Sequence, residues 1–290
     1  MPPFCRLDGR TPLSRIITLI ALGAALLSPY DLVSQPPSQP AQDLVKDVAY
    51  NELQDRVQES FWEYRIDKRV DQHILTEERV ETRYGRLTRL IAKDGIPLSQ
   101  AEQQQEEARL QSLLHNPGEL QKAKEQFEKD DRRLKRLYAI LPTAFLCDYD
   151  GEDGGNIRLR FRPNPAFKAP TYEARIFHAL GGQIWIDPRQ KRLVAIKSEL
   201  IERVTFAYGL LGYVNKGGTF AIHRRQVGPA HWRTDVIDLQ ASGRLLLFKN
   251  VSKEQHEVRS EFKAVPGNTT LEQAEALLMQ SAVMADPKHD

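Results

Sequence analysis

The spacing of apolar residues changes twice along the chain. Over residues 43–60 apolar positions recur at helical intervals, which predicts one amphipathic helix. Over residues 61–91 apolar and aromatic residues alternate with charged ones, the period-2 pattern of half-buried strands. Helical spacing returns over residues 99–141, and strand-like alternation follows Gly155 for nearly all of the remaining chain.

Residues 99–141 are predicted to form a helical hairpin. Ser99 and Glu102 fit a capping box, in which each side chain accepts a hydrogen bond from the other residue's backbone amide. Pro117 suits the first position of a second helix, and Pro142 is expected to end that helix. The many charged residues of this segment are typical of a solvated helix face with i,i+4 pairs.

The second half of the chain is predicted to be an antiparallel meander. Its strand-like runs cover residues 183–187, 193–204, 219–227, 232–239 and 244–251. The turn-forming segments between them, at residues 187–188, 215–218, 228–229 and 242–243, are too short for the crossovers that parallel strands need. A short helix over residues 172–180 is expected to interrupt the meander, and a terminal helix is expected over residues 271–282.

The first forty residues resemble a secretory signal peptide. Arginines at positions 6, 10 and 15 precede an apolar stretch of about a dozen residues, which is shorter than the roughly 20 that span a bilayer. Cleavage near Ser34 gives a signal peptide of residues 1–34, and an uncleaved N-terminal anchor is the alternative. The expected remainder is a Pro/Gln-rich linker (35–42), a single domain (43–282) and a C-terminal tail (283–290).

The overall composition excludes several classes of protein. The 41 Lys and Arg residues nearly balance the 39 Asp and Glu residues, so the chain lacks the basic excess of a dedicated nucleic-acid binder. A hydrophobic content of 41% is too high for a disordered chain and too low for a multi-span membrane protein. Cys5 lies in the predicted signal peptide, and Cys147 alone cannot form an internal disulfide, so it is expected to be a buried structural residue.

The sequence contains no recognisable catalytic motif. It lacks a Walker or Rossmann glycine loop, a Gly-x-Ser-x-Gly elbow and a His-Glu-x-x-His helix, and its seven histidines have no metal-ligand spacing. The acidic stretch 148–153 fails as a calcium loop because its sixth and twelfth positions are Asp153 and Leu159. We therefore expect a non-enzymatic protein with no metal and no cofactor. Arg224 and Arg225 are expected on a polar outer sheet face, with side chains pointing to opposite sides.

Five aromatic residues from separate predicted strands are the candidate ligand-binding residues. They are Phe161, Trp185, Phe220, Trp232 and Phe248. Aromatic side chains from neighbouring strands can line one concave apolar surface, and an ordinary filled core is the alternative.

Two stretches of the chain resemble the LolA-like periplasmic carriers, the superfamily that sorts outer-membrane lipoproteins. One is Gly-Gln-Ile-Trp-Ile-Asp-Pro at 182–188, followed by the strand that ends at 196–199; the other runs from 217–220 through His231 and Trp232 to 245–249. The resemblance covers most of residues 43–265. It implies an α+β fold, in which an antiparallel sheet curves into an unclosed half-barrel with helices on its concave face. The inserted hairpin 99–141 is larger than anything in the basic carrier, and no arginine here matches the one that holds that carrier closed.

The resemblance implies a periplasmic carrier of the cell envelope that binds lipid acyl chains or lipoproteins without catalysis. No nucleic-acid partner and no membrane span after signal cleavage are expected. The alternative is an envelope interaction or sensor module, in which the hairpin 99–141 docks a partner protein and the sheet is a scaffold.

Overall fold

The computed structural model describes residues 39–57, 60–206, 212–245 and 249–284. The predicted signal peptide and the last residues of the tail lie outside these ranges. In chain order the described elements are α1 (Ala41–Val57), β1 (Phe61–Val70), β2 (His73–Thr82), β3 (Gly85–Lys93), β4 (Ile96–Pro97), α2 (Gln100–Leu114), α3 (Pro117–Ala144), β5 (Phe145–Asp153), β6 (Asn156–Pro163), α4 (Tyr172–His178), β7 (Leu180–Asp187), β8 (Arg192–Leu200), β9 (Val204–Phe206), β10 (Gly212–Val214), β11 (Thr219–Gln226), β12 (Trp232–Leu245), β13 (Lys249–Val265) and α5 (Leu271–Met284).

The thirteen described strands form one antiparallel sheet. Its order is β4-β3-β2-β1-β13-β12-β11-β8-β7-β6-β5, and β9 and β10 form a small extension beside β12. The antiparallel arrangement predicted for the second half is confirmed. Among the described strands β4 and β5 end the sheet without pairing to each other, so the sheet is not closed into a barrel.

Several predicted strand boundaries are wrong. A strand, β5, already precedes Gly155, although its acidic residues do not fit the alternating pattern. The run 193–204 is divided between β8 and β9. The pair 242–243 is no turn, because β12 continues through it to Leu245, and β13 extends to Val265.

Glycine adopts turn conformations easily, which favours a turn at Gly243, but in the structure Gly243 allows a close approach between strands. It pairs with Val214 on one side and with Val251 on the other. A Cβ atom at this position would lie 2.2 Å from the carbonyl oxygen of Tyr213. Glycine within a strand often marks such an approach of a second backbone.

The predicted helices are present, with one change at Pro142. The capping box of Ser99 and Glu102 is confirmed at the start of α2, and Pro117 begins α3 as expected. Pro142, however, lies inside the last turn of α3, which continues to Ala144. The side-chain amide of Gln42 donates hydrogen bonds to the carbonyl oxygens of Pro142 and Phe145, so α1 satisfies acceptors that the end of α3 leaves open.

The long helix α3 connects the two edges of the sheet. It is joined through α2 to β4 at one edge and leads directly into β5 at the other, and its 28 residues measure about 42 Å. The guanidinium of Arg86 in β3 lies 4.4 Å from the centre of the Phe127 ring in α3. Before α3, α2 covers the exposed edge of β3, where the backbone amide of Leu90 donates to the carboxylate of Glu106 at 2.8 Å.

The helices pack against both faces of the sheet. The strand register places Tyr64, Ile66, Ile237 and Ile222 on one continuous face, and Ile222 packs in the main core with residues of α1 and α3. We call this surface the α1 face. On the opposite face of β2 and β3, Val80 and Leu87 pack with Ala274 and Leu278 of α5.

Candidate functional site

A small cavity, here called the inner cavity, lies between α1, α3, α4 and the α1 face of the sheet. Its volume is about 20 Å³, enough for about one water molecule. The lining residues, all apolar apart from the thiol of a cysteine, are Val45, Leu141, Phe145, Cys147, Phe161, Phe177, Leu180, Ile184, Ile196 and Phe220. Because this wall offers few hydrogen bonds, the space suits an apolar group better than water. In this state the core around the cavity is nearly filled.

Two of the five predicted ligand-binding aromatics meet in the wall of the inner cavity. They are Phe161 of β6 and Phe220 of β11. Trp185 of β7 lies on the opposite sheet face, since it alternates with the buried residues Ile184 and Ile186. Phe248 lies outside the described residues.

Trp232 is buried away from the cavity wall. Its indole nitrogen donates a hydrogen bond of 2.9 Å to the side chain of Gln190. The structure therefore brings Phe161 and Phe220 together and places Trp185 and Trp232 elsewhere.

Phe145 is a wall residue that the sequence did not reveal. It is the first residue of β5 and is 1% exposed. Its ring packs edge-to-face with Phe161 and Phe177, at centroid distances of 4.9 and 5.0 Å. Its position at the end of a predicted helix, three residues after Pro142 and before an acidic run, concealed the strand to which it belongs.

Cys147 joins the wall from the same strand. Burial, and secondarily the negative charge of Asp148, raise the pKa of its thiol to about 12. A thiol with this pKa remains protonated and unreactive at neutral pH. Its backbone amide donates to the side-chain oxygen of Gln42 at 3.3 Å, which links β5 to α1.

At the C-terminal part of α1, charged side chains replace the apolar stripe. Arg192 of β8 donates from Nε to Glu52 Oε1 at 3.0 Å and from Nη2 to Asp55 Oδ2 at 2.8 Å. Arg224 of β11 forms a second ion pair with Glu52. We call these four residues the α1 ion cluster. None of the four side chains is more than 7% exposed, so the charges are removed from water but paired with one another.

Both carboxylates of the α1 ion cluster have pKa values below their ordinary range. For Glu52, burial is the largest influence and acts to raise the pKa, but the charge of Arg224 and the hydrogen bond and charge of Arg192 together outweigh it. For Asp55, burial again opposes the shift, and the hydrogen bond and charge of Arg192 lower the pKa. The folded state therefore favours the ionised form of both groups.

The expected position of Arg224 on a polar outer face is wrong. The residue is 6% exposed and lies against α1, because Glu52 supplies a buried opposite charge. Arg225 does face the other way, where its Nε lies 3.0 Å from Asp235 Oδ2. The expectation that these two side chains point to opposite faces is confirmed.

A larger cavity of about 160 Å³, here called the α3–α4 pocket, lies outside the inner cavity between α3 and α4. Leu137, Ile140 and Ala174 form part of its apolar wall. Arg133 and Glu173 also line it and form an ion pair at 2.9 Å. The pocket is thus apolar inside and charged at its rim.

Four histidines in the described part of the chain each pair with a carboxylate. Nδ1 of His73 lies 2.7 Å from Asp94, and Nδ1 of His223 lies 2.6 Å from Asp235. Within the described ranges no group of three or more His, Cys, Asp or Glu side chains is arranged to hold a metal ion. None of the described helices is both long enough and apolar enough to cross a membrane.

The comparison with known proteins gave no match. The chain matches no protein-family model, no curated protein and no solved structure. The resemblance to the LolA-like carriers therefore has no support beyond the sequence stretches that suggested it.

Proposed function

We propose that the protein is an exported, non-enzymatic carrier that binds the acyl chain of a lipid or lipoprotein in the inner cavity. The observation that carries this proposal is a wall of ten residues, nine of them hydrocarbon side chains and one a protonated thiol, between three helices and a sheet. Such a surface binds hydrocarbon without directional bonds. It offers no group suited to acid–base or nucleophilic chemistry.

As part of this proposal, the open sheet is an unclosed half-barrel, and α1 and α3 lie on its concave side. The helices then act as a cover over the apolar part of the sheet, and residues 99–141 are a hairpin whose second helix contributes to the cover. Tyr138, Ile140 and Leu141 near the end of α3 pack against the core, as this arrangement requires.

The proposal requires the carrier to be closed in this state. A volume of about 20 Å³ does not accommodate an acyl chain. Burial of hydrocarbon contributes about 0.8 kcal/mol per CH₂, so ten methylenes contribute about 8 kcal/mol toward displacing part of the cover. We propose that the chain occupies space that opens when one covering element moves.

The test is lipid extraction and mass spectrometry of protein purified after expression of the full chain, together with titration of a fluorescent fatty acid. We expect copurified lipid and saturable binding. Ile184→Trp, which fills the cavity, should weaken binding. Trp185→Phe, one residue away on the opposite sheet face, is the matched control and should leave binding unchanged. Absence of both copurified lipid and saturable binding would refute the proposal.

A second candidate function is partner docking through residues 99–141. The observation that favours it is the apolar stripe of α3, where Leu134 is 40% exposed and Phe127 is only half-buried. Deleting the whole segment would remove core residues, so the better variant is Phe127→Glu with Leu134→Glu. Under the docking hypothesis this variant loses cross-linking to an envelope protein in cells; under the carrier hypothesis it retains lipid binding.

A further inference from the structure

The α3–α4 pocket and the inner cavity share a thin wall. Leu141 and Phe177 line the inner cavity, while their neighbours Ile140 and Ala174 line the pocket. Residues one position or one helical turn apart therefore face the two cavities from the same pair of helices. A shift of α4 away from α3 would join the two spaces into one apolar passage.

The elements that cover the inner cavity differ in how firmly they are held. The α1 ion cluster is buried, and separating such a pair leaves an uncompensated charge in a dry environment. The Arg133–Glu173 pair between α3 and α4 has side chains that are 48% and 46% exposed, so water replaces each partner easily. The helix α4 has only seven residues, and the segment before it is largely exposed. The α3–α4 contact is accordingly the weaker side of the cover.

The rim of the α3–α4 pocket carries one uncompensated positive charge. Arg133 is paired with Glu173, whereas Arg136 lines the same pocket and forms no ion pair within the described residues. Two arginines and one glutamate give a net charge of +1 at the mouth of an apolar space. This combination matches a molecule with a hydrocarbon chain and one anionic head.

We propose that the α3–α4 pocket binds the head of a single-chain anionic amphiphile through Arg136, with its acyl chain passing between α3 and α4 into the inner cavity. The inference rests on the proposed carrier function and specifies its ligand class. A fatty-acid carboxylate and a monoacyl phosphate share the required chemistry. Arg136 supplies a planar guanidinium, which bonds either head through two parallel N–H groups.

The test uses cis-parinaric acid, which fluoresces in apolar surroundings, and its methyl ester, which has the same chain without the charge. Arg136→Gln should weaken binding of the acid about tenfold, the effect of losing a hydrogen bond to a charged group, and leave binding of the ester unchanged. Arg132→Gln is the matched control, since Arg132 is an exposed arginine one helical turn from Arg136 that pairs with Glu128 outside the pocket. It should change neither affinity.

Competition experiments identify the head group. Displacement of parinaric acid by both palmitate and lysophosphatidate assigns the pocket to anionic heads in general, and displacement by palmitate alone assigns it to carboxylates; either result supports the inference. Ala174→Phe fills the pocket and should abolish binding of both fluorescent probes.

Three outcomes would overturn the inference. The first is that Arg136→Gln changes the affinities for the acid and the ester equally, or changes neither. The second is that the Ala174→Phe variant binds both probes as the unaltered protein does. The third is that neither palmitate nor lysophosphatidate displaces parinaric acid. In each case binding by the unaltered protein would still support a carrier. If the unaltered protein binds neither the acid nor the ester, the proposed function itself fails.

Discussion

Cys147 reports on the inner cavity because its reactivity depends on burial. With its pKa raised to about 12 from an ordinary 9.0, the thiolate fraction at pH 8 is about a thousandfold below that of an exposed cysteine. In a Cys5→Ser protein we expect alkylation by a small maleimide to be slower by about this factor. The rate is measured by mass spectrometry, with urea-unfolded protein as the control. Equal rates in the folded and unfolded states would contradict the position of Cys147.

In β12, a side chain added at Gly243 would clash with the neighbouring strand. A methyl group there would meet the backbone of Tyr213, whereas a Cβ at Gly267 would meet nothing within 4 Å. We expect Gly243→Ala to lower the free energy of unfolding by about 1–3 kcal/mol, the usual cost of overpacking. Gly267→Ala is the matched control and should change it little. Urea denaturation followed by circular dichroism measures both, and equal effects would count against the close approach.

At the scale of elements, the α1 ion cluster fixes the C-terminal part of α1 to β8 and β11. Glu52→Gln removes the charge that both Arg192 and Arg224 contact, and it should lower the free energy of unfolding by about 3–5 kcal/mol. Asp43→Asn changes a carboxylate of the same helix that forms an exposed pair with Lys46, and it should cost less than about 1 kcal/mol. Comparable losses in the two variants would show that the cluster does not anchor the helix.

The same cluster predicts how stability depends on pH. The ordinary pKa of Glu52 is 4.5, and the folded state lowers it, so the unfolded chain takes up a proton first as the pH falls. This contribution is complete above about pH 5.5 and is lost as the pH falls through 4.5 toward the folded pKa. We expect the urea midpoint to fall from pH 6 to pH 3.5, as measured by circular dichroism, and less steeply in Glu52→Gln. Identical slopes in the two proteins would contradict this role.

Elements whose inward residues are apolar could be predicted from the sequence. In α1 the sequence pattern correctly places Leu44 and Val48 on the buried side of the helix. This buried side continues through Glu52 and Asp55, which the same pattern assigns to solvent. Their burial depends on arginines about 140 residues away in sequence, as in the pair of Glu52 with Arg192. Charge compensation at such a distance has no local signal.

For the whole molecule, the sequence predicted an antiparallel sheet and two of the cavity-wall residues. Phe161 lies between Arg160 and Arg162 in its strand, and Phe220 follows the turn-forming segment that precedes its strand, so both positions have a local signal. The pairing of β13 with β1, the last described strand with the first, could not be predicted because it depends on contacts between distant segments. The route of α3 from one sheet edge to the other was concealed for the same reason, and this route creates the contact with α4.

The proposed passage between α3 and α4 predicts which part of the molecule moves during uptake of a ligand. A short thiol cross-linker can join residues 133 and 173 across that contact, in a protein with Arg133→Cys, Glu173→Cys, Cys5→Ser and Cys147→Ala. A second protein carries Asp47→Cys and Lys191→Cys instead. In the unaltered protein the side chains of Asp47 and Lys191 form an ion pair at 2.5 Å that connects α1 to the turn before β8. Because the α1 contacts are the firmer ones, we expect the first cross-link to abolish binding of parinaric acid. The second should leave the binding unchanged, and stopped-flow fluorescence measures both. The reverse result would show that α1, rather than α4, uncovers the inner cavity.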